Sequence, residues 1–292
     1  MRRTTSWLVL VLLVEFLLAA SFAGSEQANP PQRVATLLPF VEDALAFAEE
    51  RADVVASVRR SLHEPIAAGL VDLGNPHSPN LERLAESRPD LVIGDRSLHA
   101  RLAEPISRLG ARLLLLDISG VDETFDSLEA VSGAVGRSPT LENQIHATRS
   151  EIDSLSVDAP AKILALFGTP GSFFVMTDRA WLGDLARKVG FENVLADGQQ
   201  ERFPGLVPVS DEVIAMARPD LVLLVAHGDP TRIRAELVRR SEQGGAWGNL
   251  SAARLGVHVL DPNLFGANPG LKLSLAARAL VRLADSPTTP LP

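Results

Sequence analysis

The pentapeptide Arg-Pro-Asp-Leu-Val occurs twice, at Arg88–Val92 and at Arg218–Val222. Upstream of each copy lies a helical pattern, "NLERLAES" in the first half and "SDEVIAMA" in the second. Downstream lies an apolar run, "LVIGD" and "LVLLVA". Proline drives the residue before it out of helical geometry and so ends each helix. A short continuous apolar run of this kind reads as a strand buried on both faces. In both copies a glutamate, Glu82 or Glu212, stands six positions ahead of the arginine, at the front of the helix. Reuse of a common turn explains the pentapeptide alone. The shared glutamate spacing and the matching places in two halves favour pseudo-symmetric lobes. A carboxylate at a helix start gains about 0.3–1 kcal/mol from the helix dipole, so a purely structural role for each glutamate stays open.

The same alternation runs along most of the chain. "RVATLL", "DVVASV", "DLVIGD" and "RLLLLD" read as strands, and "LHARLAEPISRLG" between the last two reads as a helix, with Pro105 kinking it or shifting its start. Strand, helix, strand in repeated order implies a largely parallel sheet. From Val121 to Leu155 strand signals stop and two helical patterns follow each other across "GRSP"; alternation resumes with "ILALFG", "SFFVM", "DLVLLVA" and "GVHVLD". The expected fold is therefore α/β, with two Rossmann-like lobes joined by one long connecting helix and a ligand cleft between them. The expected boundaries are 33–120 for the first lobe, 121–159 for the connector and 160–292 for the second lobe. A helical connector permits only small hinge motion.

Residues 1–23 read as a signal peptide, with "MRR" as the basic start, "WLVLVLLVEFLLAASFA" as the apolar region and cleavage after Ala23. Glu15 is unusual there, and an uncleaved anchor is the alternative. Residues 24–32 form a polar, proline-rich leader, and no later run approaches the roughly 18 apolar residues of a membrane span. Without cysteine there is no disulfide, no thiolate zinc site and no lipid attachment. A periplasmic protein free of the membrane is expected. A net charge of -8 argues against nucleic acid as a partner.

Six histidines remain as candidates for chemistry. His77 sits between Pro76 and Pro79, which stiffen its loop. His227 follows the strand "DLVLLVA" at its carboxyl end, where open α/β sheets place ligands. Each taken alone is most simply an ordinary polar residue. His63, His99, His146 and His258 read as structural or exposed. A bare zinc or manganese ion needs three or four converging ligands; Asp261 is the only third partner that suggests itself, and no paired-histidine motif supports it. No nucleophile elbow, Walker A loop, dinucleotide fingerprint or zinc-protease helix motif occurs, so an enzyme is not expected.

The two-lobed pattern with "NLERLAESRPDLVI" resembles the helical-backbone class of ABC-transporter substrate-binding proteins over about residues 33–285. Within it, "GNPHSPNLE" (74–82), "VLLVAHGDP" (222–230) and "LDPNLFGAN" (260–268) are similar to the haem-binding branch. That branch carries a methionine before Ser-Pro in the first segment and a histidine after alanine in the second, and these are its axial haem ligands. By position they fall on His77 and His227, with histidine replacing methionine; the missing lipobox cysteine is a second departure. The resemblance implies haem as the transported ligand, its iron held by both histidines, with a ferric siderophore or corrinoid as the alternative. It offers Leu264 and Phe265 as walls for the porphyrin, with core packing the alternative for Phe265, and Arg179 as a propionate partner; Asn263 and Asn268 read as turn caps. It assigns Glu82 and Glu212 to docking on the ABC permease dimer of the inner membrane, and a monomer is expected.

Overall fold

The computed structural model describes residues 31–48, 52–60, 66–195, 203–252 and 256–285; the expected signal segment, most of the leader and His63 lie outside the described residues. Apolar runs of the first half become β1 (Arg33–Thr36), β2 (Asp53–Ser57), β3 (Val71–Asp72), the short pair β4 (Gly74–Asn75) and β5 (Ser78–Pro79), β6 (Leu91–Asp95) and β7 (Arg112–Leu116). Helices α1 (Pro39–Leu45), α2 (Leu81–Ser87), α3 (Arg96–His99) and α4 (Ala103–Arg108) alternate with them. Five of the strands form a wholly parallel sheet in the order β3-β2-β1-β6-β7, the order a Rossmann half produces. The helix expected over residues 98–110 is divided by a 3-10 turn at Ala100–Leu102, and Pro105 falls in the first turn of α4, where its missing N–H leaves no intrahelical bond unmade.

The connecting segment differs from a single helix. It is α5 (Val121–Ala134) followed by α6 (Pro139–Asp153). Gly136 and Arg137 take φ of 94° and 61°, which helical backbone forbids. Ser138 then caps α6 by accepting from Leu141 N at 3.3 Å, with Pro139 in its first turn. Arg149 of α6 ties the two helices, donating to Asp122 Oδ1 at 3.2 Å and lying 4.8 Å over the Phe125 ring.

The second half gives β8 (Lys162–Thr169), β9 (Ser172–Met176), β10 (Glu192–Asn193), β11 (Leu206–Pro208), β12 (Leu221–Ala226) and β13 (Val257–Val259). Its helices are α7 (Trp181–Lys188), α8 (Asp211–Met216), α9 (Pro230–Glu242), α10 (Pro262–Phe265) and α11 (Leu273–Asp285). The sheet order is β11-β9-β8-β12-β13, with β10 also on β8. This sheet is mixed rather than largely parallel: β9 runs antiparallel to both β8 and β11. Only Pro170-Gly171 separates the paired residues Thr169 and Ser172, and a parallel return needs a crossover of roughly a dozen residues or more.

The repeated pentapeptide acquires a structural cause. Asp90 accepts from Arg33 N at 3.0 Å and returns its own N–H to Arg33 O at 2.8 Å. Asp220 does the same to Lys162, at 2.9 Å and 2.7 Å. Each aspartate thus clips the strand after it to the first residue of the neighbouring strand, β1 or β8. The outer face of each sheet packs its own apolar cluster, while the inner faces share one core that includes Val34, Leu91, Phe125, Ile145, Leu223 and Leu280. Among the described residues no helix is long and apolar enough to cross a membrane.

Candidate functional site

In β12 the inward positions are Leu221, Leu223 and Val225, and the next step of two brings His227 to the same face. Its backbone N–H donates to Gly168 O at 2.8 Å, so the ladder holds the residue beyond the strand's named end. Its ring lies 5.5 Å from Phe167, which is inward on β8, at 31° between planes. Solvent reaches His227, yet lost hydration among the packed strands, and secondarily the nearby His77, hold its pKa below the ordinary 6.5. The ring is therefore neutral near pH 7, the form in which imidazole binds metal.

His77 arrives from the first lobe. The strands β4 and β5 pair antiparallel, Gly74 with Pro79 and Asn75 with Ser78, leaving Pro76-His77 as a two-residue turn. Asn75 Oδ1 accepts from His77 N at 2.8 Å, closing an Asx turn. The His77 and His227 ring centroids are 6.0 Å apart with their planes at 90°. One imidazole from each half of the chain thus stands against the other.

The helix that carries Leu264 and Phe265 packs on β12, the strand that leads into His227. Phe265 is only 3% exposed and stacks on Trp181 at 6.2 Å, 21° between planes, so its faces belong to the core. Leu264 is half-buried against that same core. Arg179 is exposed, its N–H donating to Thr177 Oγ1 at 3.3 Å. Asp261 caps α10 by accepting from Asn263 N at 2.9 Å. Among the described residues no group of three or more His, Asp or Glu gathers to hold a bare ion.

Glu82 and Glu212 occupy equivalent places and are both exposed. Asn80 caps α2 through Arg83 N at 3.0 Å, and Ser210 caps α8 through Val213 N at 3.3 Å; each glutamate is the second residue of its helix. Its own backbone N–H, then the Ser210 hydroxyl, hold the Glu212 carboxyl below the usual carboxylate range, so it stays ionised.

Three residues beside the pair escaped sequence reasoning. Phe167 reads simply as a strand residue. His99 is wholly buried, with Nδ1 accepting from Asp95 N at 2.9 Å and Nε2 placed 2.7 Å from Pro76 O. Arg101 donates to His77 O at 2.6 Å. Burial, above all, pushes His99 below the ordinary histidine range. Apart from Gly94, which makes room for the His99 ring, nothing in the local pattern signals these contacts.

Known proteins bear on this arrangement. The structure is similar to an ABC-transporter substrate-binding protein from Listeria monocytogenes, with a TM-score of 0.73, 24% identity and coverage of 87% of this chain and 98% of that one. It matches Staphylococcus aureus IsdE complexed with heme at a TM-score of 0.73, 18% identity, and 87% and 99% coverage. By sequence, the S. aureus high-affinity heme uptake system protein IsdE is 22% identical over 220 residues, 73% of each chain. A triscatecholate siderophore binding protein, FeuA of Bacillus subtilis, shares the fold at a TM-score of 0.69, 14% identity, and 89% and 94% coverage. The two-lobed architecture and a match to the periplasmic binding protein family model over residues 43–257, well over half of the chain, agree: the chain belongs to the periplasmic binding protein family, a family of solute-binding proteins rather than enzymes.

Proposed function

We propose that this protein captures haem in the crevice between its lobes, with His77 and His227 as the two axial ligands of the iron, and delivers it to an ABC importer. The separation of the two rings, 6.0 Å between centroids, carries the reading. A metal–imidazole bond is about 2 Å and the ring centre lies about 1 Å behind its nitrogen, so two trans imidazoles on one iron stand about 6 Å apart. Perpendicular ring planes are compatible with this, because each ring turns freely about its own metal–nitrogen bond. The absence of a third ligand among the described residues suits the same cargo. A bare ion wants three or four protein ligands, whereas porphyrin iron already has four nitrogens and lacks only its axial pair. Exposed Glu82 and Glu212, one per lobe, would then present matched charges to a permease dimer.

A ferric siderophore or corrinoid is the alternative; FeuA, which shares the fold, is a siderophore binding protein. Siderophore oxygens that saturate ferric iron leave no position for imidazole, so the histidines separate the two readings. Titration of the purified protein with ferric haem, followed by absorption, is the test. A six-coordinate, low-spin, two-imidazole spectrum is expected, with the sixth ligand lost in His77→Ala and in His227→Ala. Spectra unchanged in both variants refute the assignment.

A further inference from the structure

We propose that His99 and Arg101 are positioning residues that hold the turn bearing His77 in the orientation needed for axial ligation; this rests on the reading of His77 as an iron ligand. A two-residue hairpin turn leaves the carbonyls of its central residues without partners in the ladder. Here those are Pro76 O and His77 O, and both are taken by α3 and the 3-10 turn that follows it. Arg101 donates to His77 O at 2.6 Å. The Nδ1 of His99 accepts from the backbone N–H of Asp95, so its proton resides on Nε2, which donates to Pro76 O at 2.7 Å. Asn75 Oδ1 meanwhile accepts from His77 N. The peptide planes on both sides of the His77 Cα are therefore fixed, and with them the direction in which its side chain leaves the backbone. Only the side-chain torsions remain to be set when ligand arrives.

The His99 ring can lie where it does because residue 94 has no side chain. A Cβ on Gly94 would sit 2.9 Å from His99 Nδ1 and 3.0 Å from His99 Cβ, so the ring would have to shift. His99 is wholly buried whereas Arg101 is exposed, so the clamp has one rigid jaw and one that can be altered without touching the core.

The test uses His99→Asn, which keeps an acceptor for the Asp95 N–H but is too short to reach Pro76, and Arg101→Gln. In the ligand-free protein, hydrogen exchange at the His77 and Ser78 amides is expected to quicken about fivefold in each variant. Wild-type exchange rates in both variants overturn the clamp, whatever the cargo proves to be. At saturating ferric haem, a shift from six-coordinate low-spin towards five-coordinate high-spin iron is expected, a signature that general loss of stability does not produce. Faster exchange with an unaltered spin state and haem affinity overturns the positioning role. If wild-type protein shows no two-imidazole spectrum, the cargo reading falls while the exchange measurement still decides whether the turn is clamped. Should His99→Asn fail to fold, Arg101→Gln carries both readouts alone.

Discussion

Asn268 stands in the segment "LDPNLFGAN" beside a second asparagine, Asn263, and the structure gives the two opposite roles. Asn268 is 8% exposed. Its Nδ2 donates to Ile118 O at 3.0 Å and to Thr124 Oγ1 at 2.6 Å, and its Oδ1 accepts from Gly270 N at 2.9 Å. It joins the chain after α10 to the start of α5, far away in sequence. Replacing it by alanine leaves Ile118 O and Gly270 N without these partners, whereas Thr124 keeps its bond to Gly120 O. A buried group left unpaired costs about 1–3 kcal/mol, so two of them, partly relieved by water, cost about 2–4 kcal/mol. In a chain of this size each kcal/mol moves the melting temperature by about 2–4 °C, giving a fall of roughly 5–15 °C. Asn263 is exposed, and what the structure uses there is its backbone N–H to Asp261. Asn263→Ala should therefore stay within about 0.5 kcal/mol of wild type. Thermal unfolding of the two variants side by side is the assay. If Asn268→Ala melts within about 2 °C of wild type, the latch contributes nothing and the reasoning fails.

Two further outcomes follow from the titrating groups and the docking residues. His99 and His227 are both held below the ordinary 6.5 in the folded protein, chiefly by burial. On acidification the unfolded chain takes up these protons first, so their contribution is fully present above that value and is lost as pH falls through the folded-state values. The urea midpoint should decline as pH falls below about 7, and should do so less steeply in a His99→Asn, His227→Ala double variant. A midpoint that rises on acidification contradicts the assignment. Reversing charge with Glu82→Lys and Glu212→Lys should abolish transport in a reconstituted importer while ferric-haem affinity stays the same; undiminished uptake removes the docking role.

The strands were legible because apolar runs of four to six residues between turn residues have few other uses, and β1, β2, β6, β7, β8 and β12 all lie where such runs stand. The mixed character of the second sheet was written in the shortness of "TPG", although alternation alone suggested parallel order. The break in the connector was visible as "GRSP", yet periodicity does not say whether two helical patterns stay collinear. His227 stood out because it follows an apolar strand at its carboxyl end; the inward alternation of β12 became visible only in the structure. His99 could not be recognised in the same way. Its importance depends on a carbonyl 23 positions earlier in the chain, and a contact of that span leaves no periodic trace. Phe265 illustrates the converse: an aromatic in a loop-like segment reads equally as cleft wall or as core until Trp181 is seen against it.

The two imidazoles come together because the same topological rule operates twice. His227 continues β12 past its carboxyl end, His77 lies in the hairpin that follows β3, and α3 with His99 begins where β6 stops. In open α/β sheets the carboxyl ends are where the chain leaves one strand for the next and where ligands are met. Each lobe therefore brings a turn at the carboxyl ends of its strands towards the other, and with it one imidazole. What remains is to hold the turns still. An inner core common to both sheets, the Asp184 carboxylate accepting from Val121 N at 2.8 Å at the head of α5, and the Asn268 bonds all tie the second half to the first. Contacts of this kind restrict the turns, and a site held in place loses less conformational entropy when a ligand binds. The 6.0 Å between the rings is reached with the lobes tied in this way, and its dependence on Asn268 can be tested. If the latch supports the pair, Asn268→Ala should weaken ferric-haem affinity as well as stability, whereas Asn263→Ala should change neither.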